Sequence, residues 1–552
     1  MSHFQKSAVT CDHGLCSEIG RDIMIKGGNA IDSSIASLFC LGITNPQSSG
    51  IGGGFIMTLY NRTTQKCLVI DARETAPAAS NKTMFGSDEW ASKYGWRAIA
   101  TPGEIYGYWE AFNKFGSGRV TWKDLIEPSI QLARNGLPIS EYLGYVLKIK
   151  EKHFRSLPTM KEWLNPKTDH VYETGDIIKR PILADTLEKL ANSPDPVQLF
   201  YNSEMTDEMV QEIRENGGII TKEDFTNYKP QFYEQPLITE NFYNGYSMCG
   251  PPPPSSFAVT QSIVAVMVDL YANHSIPSTS KPGTIDDLTF YHHLIEAQKF
   301  AYAQRTLLGD AAFVPEALAL AKNMTTREYT KWIVSRMPKE AQPSAYYGGI
   351  TAQKEDHGTS HVSVVDSDGN GVSATSTVNR WFGAVVQSPK YAIVWNDEMD
   401  DFSSPGMANG FGFAPSETNF IEPGKRPMSS MSPLVIYDTK TGKLKMVMGA
   451  SGGSKIISAL AKPIIRVLCF NETIKEAIDA PTLHNQFTPD ITQYEPAVPK
   501  QLLSDLEAYF KQSFKLTSGF EGIAQGIVIN DDGQIYANGD FRRKSNQHPE
   551  GF

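Results

Sequence analysis

A polar segment that leads directly into an alternating hairpin is the feature of this sequence that most restricts its fold. Residues 360–366 alternate in side-chain character, and residues 371–379 do so again. The Asp-Gly pair at 368–369 is a strong turn signal, so the two runs are predicted to pair as antiparallel strands. If that pair forms the turn, Thr359 lies opposite Val378 and within one register step of Thr377 and Asn379.

The residues before the hairpin have the opposite character. Residues 338–358 are polar, rich in Gly, Pro, Lys and Glu, and show no apolar period, so they are predicted to be exposed. They end at Gly358, which offers no steric hindrance to a neighbouring hydroxyl that attacks its peptide bond. A simpler explanation exists for the string HGTSH at residues 357–361, because hydroxyl residues, Thr above all, are common on hairpins. The junction before Thr359 is what favours a reactive site.

Strand-like runs occur both before and after a long helical region. Residues 16–26 and 30–41 carry apolar side chains at helical spacing and are separated by a glycine pair. Residues 55–60 and 68–70 are strand-like and are joined by a polar turn. Residues 103–337 are mainly helical by periodicity. With no internal repeat, this order predicts one layered α+β fold and not a string of modules.

Charge and hydropathy exclude several classes of function. The formal net charge of −10 argues against nucleic acid as a partner, since polyanion binding usually needs a basic face. The basic run at 542–544 is predicted to be a solvated tail. No run reaches the roughly 18 apolar residues of a membrane span, and the most apolar segment, 257–271, is predicted to be a buried helix. The first ten residues lack the apolar region of a signal peptide, so neither leader nor anchor is expected within this chain.

Cysteine usage argues against a metal site. Six cysteines are too few for a disulfide-built scaffold of 552 residues, and no C-x-x-C pair or Cys/His cluster has zinc-site spacing. No metal is therefore expected. Asn-x-Ser/Thr triplets permit glycosylation if the chain enters the secretory pathway. They occur at Asn61, Asn81, Asn273, Asn323 and Asn471.

A serine-hydrolase site is an alternative. Residues 449–453, GASGG, match the nucleophile-elbow pattern and lie between an apolar strand at 444–448 and a helical run at 455–461. Such a hydrolase needs an acid and then a histidine downstream. The candidates are Asp479 or Asp490 with His484 or His548. No comfortable triad results, because His484 would have to follow Asp479 within one short helix and turn.

A glycine-rich run at residues 50–54, GIGGG, has the composition of a phosphate-binding loop. It precedes a strand, whereas a dinucleotide-binding loop follows one. Close backbone packing is therefore the favoured interpretation.

Long strings along the chain carry a more specific pattern. They are GRDIMIKGGNAIDSSIASLFCLGITNPQSSGIGGG, IDARETAP, GTSHVSVVDSDGNGVSATSTVN, NDEMDDFSSPG, GKRPMSSMSP and GASGGSKII. With these strings the chain resembles the gamma-glutamyltranspeptidase family of N-terminal nucleophile hydrolases, almost from end to end. The resemblance implies a four-layer αββα sandwich formed by two chains from one precursor. Residues 1–358 would be the large subunit and 359–552 the small subunit, intertwined in one fold.

The resemblance also implies the catalytic residues. The precursor would cut itself between Gly358 and Thr359, and Thr359 would then be the nucleophile. Thr377 would hydrogen-bond the hydroxyl or the amine of Thr359. Gly452 and Gly453 would supply backbone N–H groups to the oxyanion, which gives the GASGG motif a role other than a serine elbow.

A charged set of residues would hold the substrate. The resemblance assigns the α-carboxylate to Arg73, Ser429 and Ser430, and the α-ammonium to Asn379, Glu398 and Asp401. A guanidinium matches a carboxylate and acids suit an ammonium, so both charge types are needed for an amino-acid head group. The alternative for Arg73, Glu398 and Asp401 is a set of structural ion pairs.

The activity implied by the resemblance needs no cofactor. The free amine of Thr359, with a reference pKa of roughly 7.7 to 8.0, would act as base for its own hydroxyl. The γ-glutamyl group of glutathione would pass to Thr359 and then to water, an amino acid or a dipeptide. A catalytically silent relative that binds γ-glutamyl compounds or a partner protein is the alternative from another class.

The resemblance to animal members also implies a disulfide and a location. Cys16 is expected to pair with Cys40, with Cys11 as a competing partner. The protein is expected outside the cell or at its surface, reached by the secretory pathway.

Overall fold

The computed structural model describes residues 1–88, 90–272, 287–349, 351–352, 358–406, 414–517 and 522–552. Two seven-stranded sheets dominate it. Their strands are β1 (Ser2–Phe4), β2 (Ala8–Cys11), β3 (Gly54–Asn61), β4 (Lys66–Ala72), β5 (Gln231–Tyr233), β6 (Leu237–Tyr243), β7 (Tyr246–Gly250), β8 (Ser360–Val365), β9 (Gly371–Thr377), β10 (Leu434–Asp438), β11 (Leu444–Ser451), β12 (Ile523–Ile529), β13 (Ile535–Gly539) and β14 (Glu550–Gly551).

The strand order of each sheet brings distant parts of the chain together. The first sheet has the order β1-β13-β12-β11-β10-β7-β6, and the second has the order β14-β2-β8-β9-β3-β4-β5. Every pairing within the two sheets is antiparallel. The hairpin β8–β9 is central in the second sheet, flanked by β2 and β3. Strand β11 packs across both strands of this hairpin, so the two sheets lie face to face.

Helices cover the outer faces of both sheets. They are α1 (Gly14–Ile25), α2 (Ala30–Thr44), α3 (Glu104–Phe115), α4 (Trp122–Asn135), α5 (Glu141–Ser156), α6 (Pro181–Asn192), α7 (Pro196–Tyr201), α8 (Glu204–Glu215), α9 (Lys222–Asn227), α10 (Phe257–Tyr271), α11 (Leu288–Arg305), α12 (Pro315–Met324), α13 (Arg327–Ser335), α14 (Ile456–Phe470), α15 (Ile474–Asp479) and α16 (Lys500–Phe510). Helices α1 to α3 pack on the second sheet, and α10 and α14 pack on the first. The result is the predicted four-layer αββα sandwich.

Local signals explain the first elements. The helices predicted at 16–26 and 30–41 are present as α1 and α2, and the two predicted strands that follow lie within β3 and β4. Asn29 caps α2 in a capping box, because its side chain accepts from the backbone of Asp32 and the Asp32 carboxylate accepts from the N–H of Asn29. The glycine-rich run before β3 packs as predicted. A Cβ at Gly52 or Gly53 would come within about 2 Å of a backbone oxygen, at 2.1 and 2.0 Å respectively.

The hairpin forms as predicted, but its register is one residue different. Val365 pairs with Gly371 and Ser360 with Ser376, so the extended register places Thr359 opposite Thr377 and not Val378. The Asp-Gly pair does not form a two-residue turn. Instead, the carboxylate of Asp366 accepts backbone hydrogen bonds across the loop, and Gly369 has φ of +80°. This arrangement is typical of a three-residue loop closed by a left-handed glycine.

The middle of the chain is less uniformly helical than its periodicity predicts. In the described part of residues 103–337 there are eleven helices, α3 to α13, but β5, β6 and β7 interrupt them. Asn244 and Gly245 have φ of +45° and +84° and join β6 to β7, so the Asn-Gly turn signal was present in the sequence and was missed. The apolar segment 257–271 is the buried helix α10, as predicted.

The polar segment before the hairpin is only partly exposed. Its residues 350 and 353–357 lie outside the described residues. Tyr347, by contrast, is buried, and its hydroxyl donates a 2.6 Å hydrogen bond to Glu296. The prediction of a wholly exposed segment is therefore wrong, because one aromatic side chain anchors it to α11.

Two disulfides cross-link the structure. Cys16 is bonded to Cys40, as the resemblance implied, and Cys11 is a buried free thiol. A second bond, between Cys67 and Cys249, joins β4 of one sheet to β7 of the other. No local pattern indicates that second pair, because its cysteines are 182 residues apart.

The surface carries most of the predicted glycosylation positions. Asn61, Asn81, Asn323 and Asn471 are exposed, whereas Asn273 lies outside the described residues. Glycosylation itself stays a prediction. None of the helices in the described part of the chain combines the length and apolarity needed to cross a bilayer.

Candidate active site

Thr359 stands immediately before β8 and is nearly buried, with 5% of its surface exposed. Its Oγ1 accepts a 2.9 Å hydrogen bond from the backbone N–H of Gly452. The preceding Gly358 has φ of +76°, in the region that favours glycine. A Cβ there would also lie 2.3 Å from the carbonyl oxygen of Asn379. Both observations require a glycine at the predicted cleavage position.

Thr377 contacts the peptide group that precedes Thr359. Its hydroxyl donates a 2.8 Å hydrogen bond to the carbonyl oxygen of Gly358 and accepts one of 2.8 Å from the N–H of Asn379. The one-residue change in register produces this contact, because it places Thr377 directly across from Thr359. A donor at this carbonyl polarises the bond that self-cleavage would break.

Gly452 and Gly453 form a sharp turn between β11 and α14. Their φ angles are +117° and +61°, which L side chains rarely adopt. The turn directs the N–H of Gly452 at the hydroxyl of Thr359. A negative charge that develops next to this hydroxyl would therefore meet a fixed donor.

The structure excludes the serine-elbow alternative. Ser451 is fully buried, and its hydroxyl donates a 2.8 Å hydrogen bond to the carboxylate of Asp12 and accepts one from Arg543. The ring of His484 contacts Ser458 at 2.9 Å, away from this group. Ser451 has an acid and a cation as partners and no histidine base, so it lacks the triad that the alternative needs.

The contact of Arg543 with Asp12 corrects the prediction for the basic run. Arg543 is 3% exposed and forms a 3.1 Å ion pair with Asp12, while Arg542 contacts Glu495 at 2.5 Å. The run is therefore not a solvated tail. Burial raises the pKa of Asp12, and the Arg543 guanidinium opposes that rise. Through Ser451, this buried pair fixes the strand end that presents Gly452, a role that sequence reasoning missed.

His361, two residues after Thr359, is not available as a base. It is fully buried, and its ring nitrogens contact the hydroxyls of Thr375 at 2.8 Å and Ser363 at 2.9 Å. Burial lowers the pKa of His361 to about 3, so the ring is neutral at physiological pH.

Arg73 follows β4 and is completely buried. Its Nε donates to the carbonyl oxygen of Pro427 at 2.6 Å, and its Nη2 donates to Asp401 at 2.7 Å. Nη1 lies 3.1 Å from Glu398. Burial alone would lower the pKa of Arg73, but the carboxylates of Glu398 and Asp401 outweigh burial and hold it above its ordinary value.

The two acids lie in one short 3₁₀ turn, Glu398–Asp401, and both contact Arg73. The ion pairs of the structural alternative are therefore present. The contact of Glu398 is close but lies outside hydrogen-bond geometry, so both oxygens of this buried carboxylate are left without a hydrogen bond to any described residue. Burial raises the pKa of Glu398 well above its usual range, against the effect of Arg73.

Asn379 places an amide oxygen beside this set. It has φ of +74°, and its Nδ2 donates a 3.0 Å hydrogen bond to the carbonyl oxygen of Asp397. The amide nitrogen is thereby fixed. Oδ1 is buried and has no hydrogen-bond partner among the described residues.

Ser429 and Ser430 follow Pro427 and Met428, whose carbonyl oxygens accept hydrogen bonds of 2.6 and 2.9 Å from Arg73. Ser429 Oγ accepts a 3.2 Å hydrogen bond from the N–H of Met431, and Ser430 Oγ accepts one of 3.0 Å from Arg305. Arg305 also donates to Ser256, whose hydroxyl bonds to the carbonyl oxygen of Ser429 at 2.6 Å. Arg305 thus supports the serine pair, and no local signal in α11 predicts this.

Both donor and acceptor atoms of these residues are buried without hydrogen bonds. Within the described residues, Arg73 Nη1, Glu398 Oε1 and Oε2, and Asn379 Oδ1 are buried without hydrogen bonds. Native structures rarely leave such groups unsatisfied, so a cluster of them next to one another needs an explanation. The carboxylate of an α-amino acid would supply acceptors for Arg73 Nη1. Its ammonium would supply donors for the oxygens of Glu398 and Asn379.

One group of side chains in the described chain has the composition of a metal site. Glu18, His548 and Glu550 bring their ligand atoms within 4.8 Å of one another. His548 contacts Glu18 at 3.0 Å, and Arg21 is ion-paired with Glu550. The group joins the end of the chain to α1 and includes none of the candidate active-site residues.

Comparison with known proteins gives one consistent result. The family model described as Gamma-glutamyltranspeptidase matches residues 16–549. Scoloptoxin SSD14 of Scolopendra dehaani is 38% identical over 547 residues, covering 98% of this chain and 92% of the relative. Glutathione hydrolase proenzyme 2 of Schizosaccharomyces pombe is 36% identical over 545 residues, covering 98% and 86%.

A solved structure shares the fold over the whole length. Cephalosporin acylase from Bacillus halodurans superposes with a TM-score of 0.84 at 20% identity, covering 100% of this chain and 96% of that one. This likeness concerns the fold and agrees with the four-layer sandwich. The family match and the relatives at 36–38% identity extend across nearly all of the sequence. The chain therefore belongs to the gamma-glutamyltranspeptidase family.

Proposed function

We propose that this protein is a glutathione hydrolase and γ-glutamyl transferase that cleaves itself before Thr359. The observation that carries the proposal is the position of the Thr359 hydroxyl, 2.9 Å from the N–H of Gly452. Buried donors and acceptors without hydrogen bonds at Arg73, Asn379 and Glu398 support a head-group site close to this hydroxyl. A nucleophile, an oxyanion donor and a head-group site are what γ-glutamyl transfer requires.

Self-cleavage follows from the contacts of the intact chain. The Thr359 hydroxyl attacks the carbonyl carbon of Gly358, and the oxygen of that carbonyl gains negative charge. Thr377 already donates a 2.8 Å hydrogen bond to this oxygen. The C–N bond breaks, the amine of Thr359 takes up a proton, and an ester joins Gly358 to the hydroxyl. Water then hydrolyses the ester to give residues 1–358 and 359–552, the large and small subunits.

Turnover uses the same hydroxyl, and its base is the amine that self-cleavage has freed. The free amine of Thr359, with a pKa of roughly 7.7 to 8.0, accepts the hydroxyl proton. The hydroxyl attacks the γ-carbonyl of glutathione, and Cys-Gly leaves with the proton. Water or the amine of an amino acid or dipeptide then takes the γ-glutamyl group from the ester. Donation from Gly452 and Gly453 to the oxyanion is worth about 3 to 4 kcal/mol in each step.

Recognition of the substrate rests on opposite charges. Arg73, with Ser429 and Ser430, binds the α-carboxylate, and Asn379, Glu398 and Asp401 bind the α-ammonium. The ion pair between Arg73 Nη1 and Glu398, whose atoms make no hydrogen bond, supports this assignment, because each partner can exchange the other for a charged group of the substrate. The γ-carbonyl is then placed at the far end of the glutamyl group, next to Thr359.

We further propose that the protein works outside the cell or at the cell surface. Two disulfides support this, since such bonds form and persist in oxidising compartments. The exposure of four Asn-x-Ser/Thr positions is also compatible with passage through the secretory pathway.

One preparation tests the proposal. Purified protein should separate into two chains on a denaturing gel, and the N-terminal sequence of the smaller should be Thr-Ser-His-Val. It should release nitroaniline from γ-glutamyl-p-nitroanilide, and the Thr359→Ala variant should stay uncut and inactive. An intact, inactive chain that binds γ-glutamyl compounds would instead support the silent-relative alternative. An intact but active chain would show that Thr359 is not an N-terminal nucleophile.

A further inference from the structure

Two cations lie close to one aromatic ring next to the candidate site. The guanidinium carbon of Arg380 lies 5.3 Å from the centre of the Tyr94 ring, and Lys150 Nζ lies 5.2 Å from it. Arg380 is the residue after Asn379, which belongs to the proposed head-group site. A third basic side chain, His153, stacks on the same ring at 5.2 Å.

These cations lack the carboxylates that usually neutralise buried charge. Among the described residues, no acid lies within ion-pair distance of Arg380 or Lys150, and Nη1 of Arg380 is buried without a hydrogen bond. Lys150 is only 6% exposed. Burial lowers the pKa of Lys150, and the nearby Arg380 lowers it further, whereas Tyr94 and Asp397 oppose the change. Two cations that have no ion pair within the described part of a chain of net charge −10 indicate a place for an anion.

The carboxyl group of Asp397 is near this cluster but lies outside ion-pair distance of both cations. It accepts a 3.0 Å hydrogen bond from the backbone N–H of Arg380, and its other oxygen is buried without a partner among the described residues. Burial raises its pKa well above the usual range, and the charge of Arg380 opposes that rise.

The position of the cluster identifies which part of a substrate it can reach. Gly358, the residue bonded to Thr359, lies against the backbone of Asn379 and Arg380, since a Cβ on it would be 2.3 Å from the first and 3.3 Å from the second. A substrate amide that reacts at the Thr359 hydroxyl is therefore within about one arginine length of the guanidinium. The head group is assigned to Arg73 and to the side chain of Asn379, whereas the side chain of Arg380 contacts Tyr94, so we assign the group near Arg380 to the other side of the amide.

We infer that Arg380 and Lys150, both close to the ring of Tyr94, bind the carboxylate of the amino acid or peptide that leaves from, or accepts, the γ-glutamyl group. The inference rests on the proposed function and deepens it, because it assigns an anion-selective subsite to the amine side of the reaction. The ring of Tyr94 holds both cations in place through cation–π contacts. Solvent reaches this edge of the site, where Trp90 stacks on Tyr94 and is 66% exposed.

Two chromogenic substrates with the same head group test the subsite. They are γ-glutamyl-3-carboxy-4-nitroanilide, whose leaving group is an anion, and γ-glutamyl-4-nitroanilide, whose leaving group is neutral. The measured quantity is the ratio of their kcat/KM values, since effects on the shared γ-glutamyl half cancel in it. Arg380→Met and Lys150→Met should each lower the ratio at least about fivefold, as expected for loss of a charge-assisted contact.

Matched variants separate a local contact from overall charge. Lys148→Met removes an exposed cation two residues from Lys150 in the same helix, and it should leave the ratio within about twofold of wild type. Arg380→Lys keeps the charge, so its ratio of kcat/KM values should be closer to that of the wild type than the ratio of Arg380→Met. A ratio unchanged in both Arg380→Met and Lys150→Met would overturn the inference. An equal fall in Lys148→Met would do the same.

A measurement on the wild type covers the case in which the variants do not fold. Transfer from γ-glutamyl-4-nitroanilide to glycylglycine should exceed transfer to glycylglycinamide at least about fivefold, because the amide lacks the carboxylate. Equal use of both acceptors would overturn the inference while leaving the proposed function intact. A wild type that releases no nitroaniline from either substrate would overturn both.

Discussion

Replacement of Thr377 by valine is the most direct test of the self-cleavage geometry. Valine keeps the shape of the side chain and removes the hydroxyl, which makes two hydrogen bonds in the intact chain. One is donated to the Gly358 carbonyl oxygen at 2.8 Å, and the other is accepted from the N–H of Asn379 at 2.8 Å. The first bond should strengthen as that oxygen becomes an oxyanion, so its loss raises the barrier more than it destabilises the precursor.

The magnitude follows from the oxyanion contact. Removal of one such donor costs about 2.7 to 4 kcal/mol, which corresponds to about 10² to 10³ in rate. The N–H of Asn379 would also lose its partner, at a further cost of about 1 to 3 kcal/mol if it stays buried. Thr377→Val should therefore cleave at least about 100-fold more slowly than wild type.

The assay follows the intact chain over time on a denaturing gel, as it is converted into fragments 1–358 and 359–552. Thr377→Ser restores the hydroxyl and should recover most of the rate. A melting curve of the uncut variant shows whether it has folded. Processing of Thr377→Val within threefold of wild type would refute the role assigned to this hydroxyl, and failure of both variants would indicate a structural role instead.

Three further changes test other parts of the site. Arg73→Lys loses the paired fork and leaves a buried carboxylate poorly matched, so kcat/KM for glutathione should fall at least about thirtyfold while self-cleavage continues, and near wild-type turnover would contradict the assignment. Gly452→Ala forces a side chain into φ of +117° and misplaces its N–H, so kcat should fall about 100-fold, measured by nitroanilide release. Burial raises the pKa of Glu74 to about 8, so its contribution to stability is present below the ordinary carboxyl pKa and is lost as pH rises through 8. Glu74→Gln should therefore gain in Tm relative to wild type between about pH 5 and about pH 9, and a constant difference would show that Glu74 does not titrate in the fold.

Local patterns predicted the elements that local interactions determine. The first two helices, the strands after them and the β8–β9 hairpin each carry their own periodicity and turn signals, and each is present. The error of one residue in the hairpin register has a local cause as well. The Asp366 carboxylate organises a longer loop than the Asp-Gly pair implies, and it thereby brings Thr377 opposite Thr359.

Contacts between distant residues could not be predicted in this way. The Cys67–Cys249 disulfide, the Asp12–Arg543 ion pair behind Gly452, and Arg305 behind the serine pair all depend on how the layers pack. Resemblance to a family named candidate residues for a head-group site, whereas the ion pairs of Arg73 with both acids were the structural alternative to that role. The contact between Arg73 and the two acids forms only when the layers pack, and any explanation of substrate specificity has to include it.

We expect that an arginine already paired with two acids selects for a zwitterion. A ligand with only a carboxylate would draw Arg73 away from Glu398 and Asp401 and leave buried acids without a cation, which costs several kcal/mol. A ligand with only an ammonium would pair with these acids and leave the buried Arg73 without an anion. A group with both charges exchanges partners on both sides at once, so the buried site keeps its charge balance. A glutamyl analogue without its α-carboxylate should therefore be a much poorer substrate than the loss of one contact alone would make it, because its remaining ammonium competes with Arg73 for the same acids. Equal turnover of this analogue and of γ-glutamyl-p-nitroanilide would show that the charged set has only a structural role.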